Sequence, residues 1–396
     1  MIRLTIPSIE DDDLAAVREV LASGFLVQGK HVAAFEEAVA AHVGVPHAVA
    51  VSNCTAALHL SLLALGVRPG DIVVVTAYSF AATANVIELC GARPAFVDIQ
   101  PDTFNMDPRR LAETLGKRGK RGQATFPRRK SSLSPFSTGP VKAILPVHTF
   151  GQMADMPAIT ALAAKHGLPV VEDAACALGA AWQGRQAGTW GTLGCFSFHP
   201  RKAITTGEGG MVVTNDAALA SKLRALRNHG LEPDAASPDF ILPGFNYRMT
   251  DFQGALGITQ MVKLDRIIAA RRRLAAHYDE LLRGTPVQPP AVAPGSRHVY
   301  QSYVVLLPAQ AAPRRAELIA ALKAQGIETT IGTWHMPMLT YYRRTYGYRE
   351  GDFPVADDVF ARSLTLPLHE RLGAQEQQQV VRALLEGIQS LACRRS

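Results

Sequence analysis

Lys202 lies in the segment GCFSFHPRKAITTGEGGMVVT (194–214), behind an aromatic-polar alternation that reads as a strand. A lone lysine is ordinarily solvated surface. One flanked by small residues and turned into a cleft can instead serve as a Schiff-base lysine, whose amine must be partly desolvated to react. Gly207, Gly209 and Gly210 permit the tight backbone course that such a site needs. Twenty-nine residues upstream, PVVED (169–173) is an apolar strand ending in two acids, Glu172 and Asp173. The commoner fate of such an acid is to cap the next helix. At the C-terminal edge of an α/β sheet, it can also face a ligand. VSNCTAAL (51–58) is a third feature, a strand, a polar turn and a helix start, which together can cradle a phosphate with free backbone N–H groups. An ordinary N-cap is its plainer reading, and the turn lacks the GxxxxGK[ST] of a P-loop. The three features together suit one small molecule: a phosphate on the helix start, an aldehyde on the lysine and a ring nitrogen on the carboxylate. Pyridoxal phosphate has all three groups.

These residues need a scaffold. Short β-branched runs at 48–51, 72–76, 94–97, 142–147, 169–172 and 211–214 alternate with longer stretches of helical period at 10–23, 31–42, 55–65, 79–90, 155–166, 216–228, 252–281, 313–325 and 373–392. This alternation predicts an α/β fold, a mostly parallel central sheet flanked by helices, with a smaller C-terminal α+β domain. The expected division is a large cofactor-binding domain over 1–250 and a small domain over 251–396 that begins with a long connecting helix. The Pro-rich stretch 284–296 reads as a hinge.

The chain has 396 residues, 47% hydrophobic and 19% charged, with a formal charge of +7. That composition excludes a disordered, collagenous or disulfide-stapled protein. The charge invites a nucleic-acid reading, but its position argues otherwise. Residues 116–140 hold seven basic side chains and no acid, and removing those seven from the 41 Lys+Arg leaves 34, equal to the 34 Asp+Glu. The segment reads as a flexible insertion. A regulatory role in which 117–130 binds nucleic acid is the rival reading from outside enzymology; its single aromatic, Phe126, gives no stacking platform. Five scattered cysteines without a CxxC pair argue against disulfides and structural zinc, and fit a cytoplasmic protein. Residues 38–67 lack charge, but Pro46, three histidines and the Ser52–Thr55 cluster favour a strand, turn and helix over a membrane span.

The chain resembles the DegT/DnrJ/EryC1/StrS sugar aminotransferases, pyridoxal-phosphate enzymes of the aspartate aminotransferase fold. The resemblance rests on SGFLVQGKHVAAFEEAVAAHVGVPHAVAVSNCTAALHLSL, AYSFAATANVI, ILPVHTFGQMADM, VVEDAACALGA, FSFHPRKAITTGEGGMVVTND, GFNYRMTDFQGALGITQM and GDFPVADDVFARSLTLPLH, and omits only 116–140. It implies that Lys202 binds the cofactor and shuttles the proton, and that Asp173 keeps the pyridine nitrogen protonated. Phe80 would stack on one ring face and Ala175 pack on the other. Thr55 and Ser197 would hold the phosphate, and Asn246 would reach it from a second subunit, which implies a homodimer with shared active sites. Core packing for Phe80 and Ala175, and a turn for Asn246, are the readings without the resemblance. Three positions depart from the family pattern. Cys176, near the ring oxygen, replaces the usual His or Gln; Cys54 replaces a glycine of the phosphate turn; Arg201 replaces a small polar residue. Relatives with histidine in place of the lysine are dehydratases, and Lys202 argues against that branch.

The implied reaction has two stages. Glutamate would leave its amino group on the cofactor as pyridoxamine phosphate and depart as 2-oxoglutarate; a nucleotide-linked keto-sugar would then receive it. Arg248, His229 and His335 are the candidates for substrate recognition. The alternative acceptor is a non-nucleotide ketone such as an aminocyclitol precursor.

Overall fold

The computed structural model describes residues 1–116, 139–232 and 237–393. The basic segment 117–130, with its expected insertion and nucleic-acid reading, lies outside them.

Seven strands build the central sheet: β1 His47–Val51, β2 Ile72–Thr76, β3 Arg93–Val97, β4 Val141–Leu145, β5 Val171–Asp173, β6 Leu193–Ser197 and β7 Gly210–Thr214. Their order is β1-β7-β6-β5-β4-β2-β3, with β4 and β5 joined by the parallel bridges Ile144–Val170 and Val147–Asp173. Six strands run one way and β7 runs against them. The α/β expectation with a mostly parallel sheet is met. All five residues of β2 are buried, because helices cover both faces of a parallel sheet. Ile72 and Val74 enter the core on one side, and Val73 and Val75 the core on the other. The period-2 pleat thereby fills two cores from one strand.

A third core gathers Tyr278, Tyr303, Leu384 and Ile2 around an antiparallel sheet of Tyr303–Leu306, Ser363–Leu366 and Thr330–Ile331. The helix Asp251–Leu282 belongs to two of these cores. Leu264, Ile267 and Ile268 pack beside the central sheet, and Ala275, Tyr278 and Leu282 pack in the third core. We propose that the domain boundary falls within this helix rather than at residue 250. Its first half is fastened to the N-terminal helices. Lys263 Nζ donates to Asp12 and Asp13 at 2.6 Å each, and Asp251 Oδ1 accepts the N–H groups of Gly29, His31 and Val32.

The stretch 284–296 is not a loose hinge. Gln152 donates to the Ala291 carbonyl and accepts from Ala293 N, and Gln288 pairs with Leu306. Proline there shortens the backbone's choices, and these bonds fix the one it takes. The helix expected from 79 starts at Ala82, because Tyr78–Ser79 pairs with Trp334–His335. Among the described residues no helix is long and apolar enough to cross a membrane.

Candidate active site

The ends of several strands meet at one edge of the sheet. Thr55 follows β1, Phe80 follows β2, Asp173 ends β5 and Ser197 ends β6; all four line a cleft of about 890 Å³, together with Lys202, Ala175 and Cys176. β7 runs the opposite way, so its first residue, Gly210, lies at the same edge beside Ser197 and Val51.

The helix Cys54–Ala64 starts at this edge, with Asn53 Oδ1 accepting from Ala56 N at 2.9 Å. Thr55 is exposed at the helix start, and Ser197 is buried across from it. A Cβ on Gly210 would sit 2.4 Å from the Asn53 carbonyl, so only glycine lets β7 approach the turn. Cys54 is buried below the turn, where burial pushes its thiol well above the usual range. A neutral thiol there adds no charge to repel a phosphate.

The two acids of β5 face opposite sides, as strand alternation requires. Glu172 is fully buried. It accepts from Gly188 N at 2.8 Å and Gly191 N at 2.6 Å, and contacts His148 Nε2 at 2.8 Å. Ala154 N donates to His148 Nδ1, so the ring carries its proton on Nε2 toward Glu172. Glu172 thus holds a loop. Asp173 faces the cleft, with Oδ2 accepting from Thr83 at 2.7 Å and Oδ1 from Ala175 N at 3.2 Å. Burial raises its pKa; Thr83, Ala175 N and the more distant Lys202 offset this only in part. A protonated ring nitrogen beside it would relieve that cost.

Lys202 Nζ lies 3.1 Å from Cys176 Sγ. Burial alone would lower the amine's pKa, yet Cys176, with Cys54 and Asp173 behind it, raises it. Phe80 is 65% exposed, large for an aromatic ring beside a cleft. A buried carboxylate short of a cation, an amine, two hydroxyls at a helix start and a bare aromatic face fit pyridoxal phosphate. Among the described residues no group of His, Cys, Asp or Glu could hold a metal ion.

The remaining sequence candidates do not line this cleft. Asn246 is exposed on a short ladder opposite Asn228. Arg248 donates to Asn228 Oδ1 at 2.6 Å, and His229 is exposed with φ of 57° on the same ladder. His335 is buried against Asp357, 3.2 Å from its Nδ1, with its ring edge-on to Phe353. Sequence reasoning missed Thr83, which steadies Asp173, and Thr5, Gln301 and Thr330, which also line the cleft. Thr83 carried a signal: a polar residue on the inward face of an apolar helix, three positions past Phe80.

The chain matches the DegT/DnrJ/EryC1/StrS aminotransferase family over residues 7–385. It belongs to that family. It is a pyridoxal-phosphate-dependent aminotransferase of the sugar-modifying kind, as the resemblance implied. The GDP-perosamine synthase of Caulobacter vibrioides is 36% identical over 386 residues, 97% of each chain. Helicobacter pylori PseC, an aminotransferase of pseudoaminic acid biosynthesis, superposes with a TM-score of 0.87 at 28% identity, covering 98% of this chain and 99% of that one. Spr1654 of Streptococcus pneumoniae, solved in a PMP form, gives 0.88 at 25% identity over 99% and 100%.

Proposed function

We propose that this aminotransferase moves an amino group from glutamate to a keto-sugar carried on a nucleoside diphosphate, as a cytoplasmic homodimer with shared sites. The observation that carries the acceptor is the set of hydroxyl side chains that line the cleft beyond the cofactor residues. Thr5, Ser302, Thr330, Thr333 and Thr365 supply them. The hydroxyls that face the cleft from these residues offer the donors and acceptors a sugar requires. A relative named for a GDP-linked product supports a nucleotide-bound acceptor.

The bound cofactor supplies the electron sink for the amino-group exchange. The chain's residues do the rest. Nζ of Lys202 takes the proton from the donor's Cα and returns one to the acceptor carbon. Asp173 keeps a negative charge opposite the ring nitrogen, and Thr83 fixes that carboxylate. Phe80 and Ala175 set the ring plane, and Thr55, Ser197 and the helix start take the phosphate. Exposed Phe25, Val27, Phe240 and Ile241, the last two near Asn246, support a subunit contact on that side. The free cysteines Cys54, Cys90, Cys176 and Cys195 support a reducing compartment.

Wild-type enzyme loaded with glutamate should aminate a nucleotide-linked 3- or 4-keto-sugar. Amination of free cyclitol ketones alone would overturn the acceptor, and failure with glutamate beside success with another amino acid would overturn the donor.

A further inference from the structure

Of the residues lining the cleft, Lys202 and Arg201 alone among the described residues carry a fixed positive charge. Lys202 is committed to the cofactor. Arg201 has no hydrogen bond or ion pair from its guanidinium among the described residues, although Glu208, 4.0 Å from His199, also lines the cleft. It is exposed, so presenting its charge costs little desolvation.

Its backbone, in contrast, is held on both sides. Arg201 N donates to His199 Nδ1 at 3.2 Å, and its carbonyl accepts from Gln301 Nε2 at 2.8 Å. Gln301 is itself fastened, since buried Arg271 donates to its carbonyl at 2.8 Å. Tyr300, the preceding residue, takes a φ of 48° and stacks on His298 at 4.0 Å. A free guanidinium on a fixed backbone, one residue from the reacting amine, is a prepared oxyanion receptor. The other basic side chain on this stretch, the His199 ring, is already engaged: its Nδ1 accepts from Arg201 N, its Nε2 lies 4.0 Å from Glu208, and burial shifts it toward its neutral form.

Resting on the function proposed above, we infer that Arg201 is a specificity-determining residue that takes an oxyanion of the substrates at the mouth of the cleft. Two sources share that chemistry, a carboxylate of the amino donor and the diphosphate of the acceptor. The planar fork suits either in a bidentate pair.

The test uses holoenzyme and the variants Arg201→Gln and Arg201→Lys, with GDP, UDP and 2-oxoglutarate titrated by calorimetry at low and high salt. In Arg201→Gln, one ligand class should weaken about ten- to a hundredfold, with its salt dependence reduced. Arg201→Lys should recover part of the loss. Loss confined to the nucleotides assigns the diphosphate; loss confined to 2-oxoglutarate assigns the donor carboxylate. Unchanged affinity for both overturns the inference, as does an Arg201→Gln variant whose defect is cofactor release. A wild type that binds GDP or UDP but aminates no nucleotide keto-sugar sinks the proposed function and leaves Arg201's role readable.

Discussion

Cys176 Sγ and Lys202 Nζ lie 3.1 Å apart on one cleft wall. The amine donates to the sulfur, and after burial, which lowers the amine's pKa, Cys176 is first among the influences that raise it. Cys176→Ala should therefore lower it. In cofactor-free protein, the pH profile for acylation of Lys202 by an amine-selective reagent should move to lower pH. An unmoved profile would show that the sulfur does not raise the amine's pKa.

Replacement of Lys202 by alanine should cut turnover by at least about a thousandfold, since both nucleophile and acid–base group are lost. The visible absorbance of the lysine-bound cofactor should vanish with it, in protein that remains folded by circular dichroism. Retention of both signals would remove Lys202 from the centre of the reaction.

Asp173 and Glu172 are adjacent and should behave oppositely. The folded-state pKa of Asp173 is raised, so its burial destabilises the protein where it is ionised, and this penalty fades as pH falls through the raised value. Cofactor-free Asp173→Asn should accordingly be more stable than wild type at neutral pH, by about 1–3 kcal/mol, and no different in acid. It should also bind the cofactor more weakly. Glu172→Ala strands three donors and should cost about 3–5 kcal/mol in denaturant unfolding. Its folded fraction should keep near-normal cofactor affinity. Equal cofactor defects in the two variants would contradict the division of labour.

Gly210→Ala forces a methyl group against the Asn53 carbonyl and must displace the phosphate turn. Cofactor affinity should fall by about tenfold or more. The central sheet should survive, since the other six strands are untouched. Titration of pyridoxal phosphate into the variant decides this.

Shared sites predict complementation. Lys202→Ala and Asn246→Ala are each expected to be inactive as homodimers. Mixed and reassembled, half the dimers would pair them, and each mixed dimer would hold one intact site. Activity should return to about a quarter of wild type. No recovery, with exchange verified by mass, would leave each site within one protomer.

Much of this site could be read in the sequence because its residues sit where strands end. VVED, AYSF, CFSF and VSNCT each finish an apolar run with a polar or aromatic residue, and the parallel sheet brings those ends together. The rest of the cleft lining could not be read that way. Thr5, Gln301 and Thr330 come from segments far apart in the chain, and no local period marks them as neighbours. His335 was misleading for the same reason. A histidine between Trp334 and Met336 looks available, while its partner Asp357 is 22 residues on. The strands Tyr303–Leu306 and Ser363–Leu366 escaped notice because their pairing is non-local and four residues carry little periodicity.

The 32-residue helix Asp251–Leu282 has one half in each of two cores. It therefore acts as a common axle. The wall holding Gln301 cannot swing freely about 284–296, because Arg271 of this helix grips it. Through Lys263 the same helix also holds Asp12 and Asp13 of the N-terminal helix, so one rod is tied both to the start of the chain and to a residue of the cleft lining.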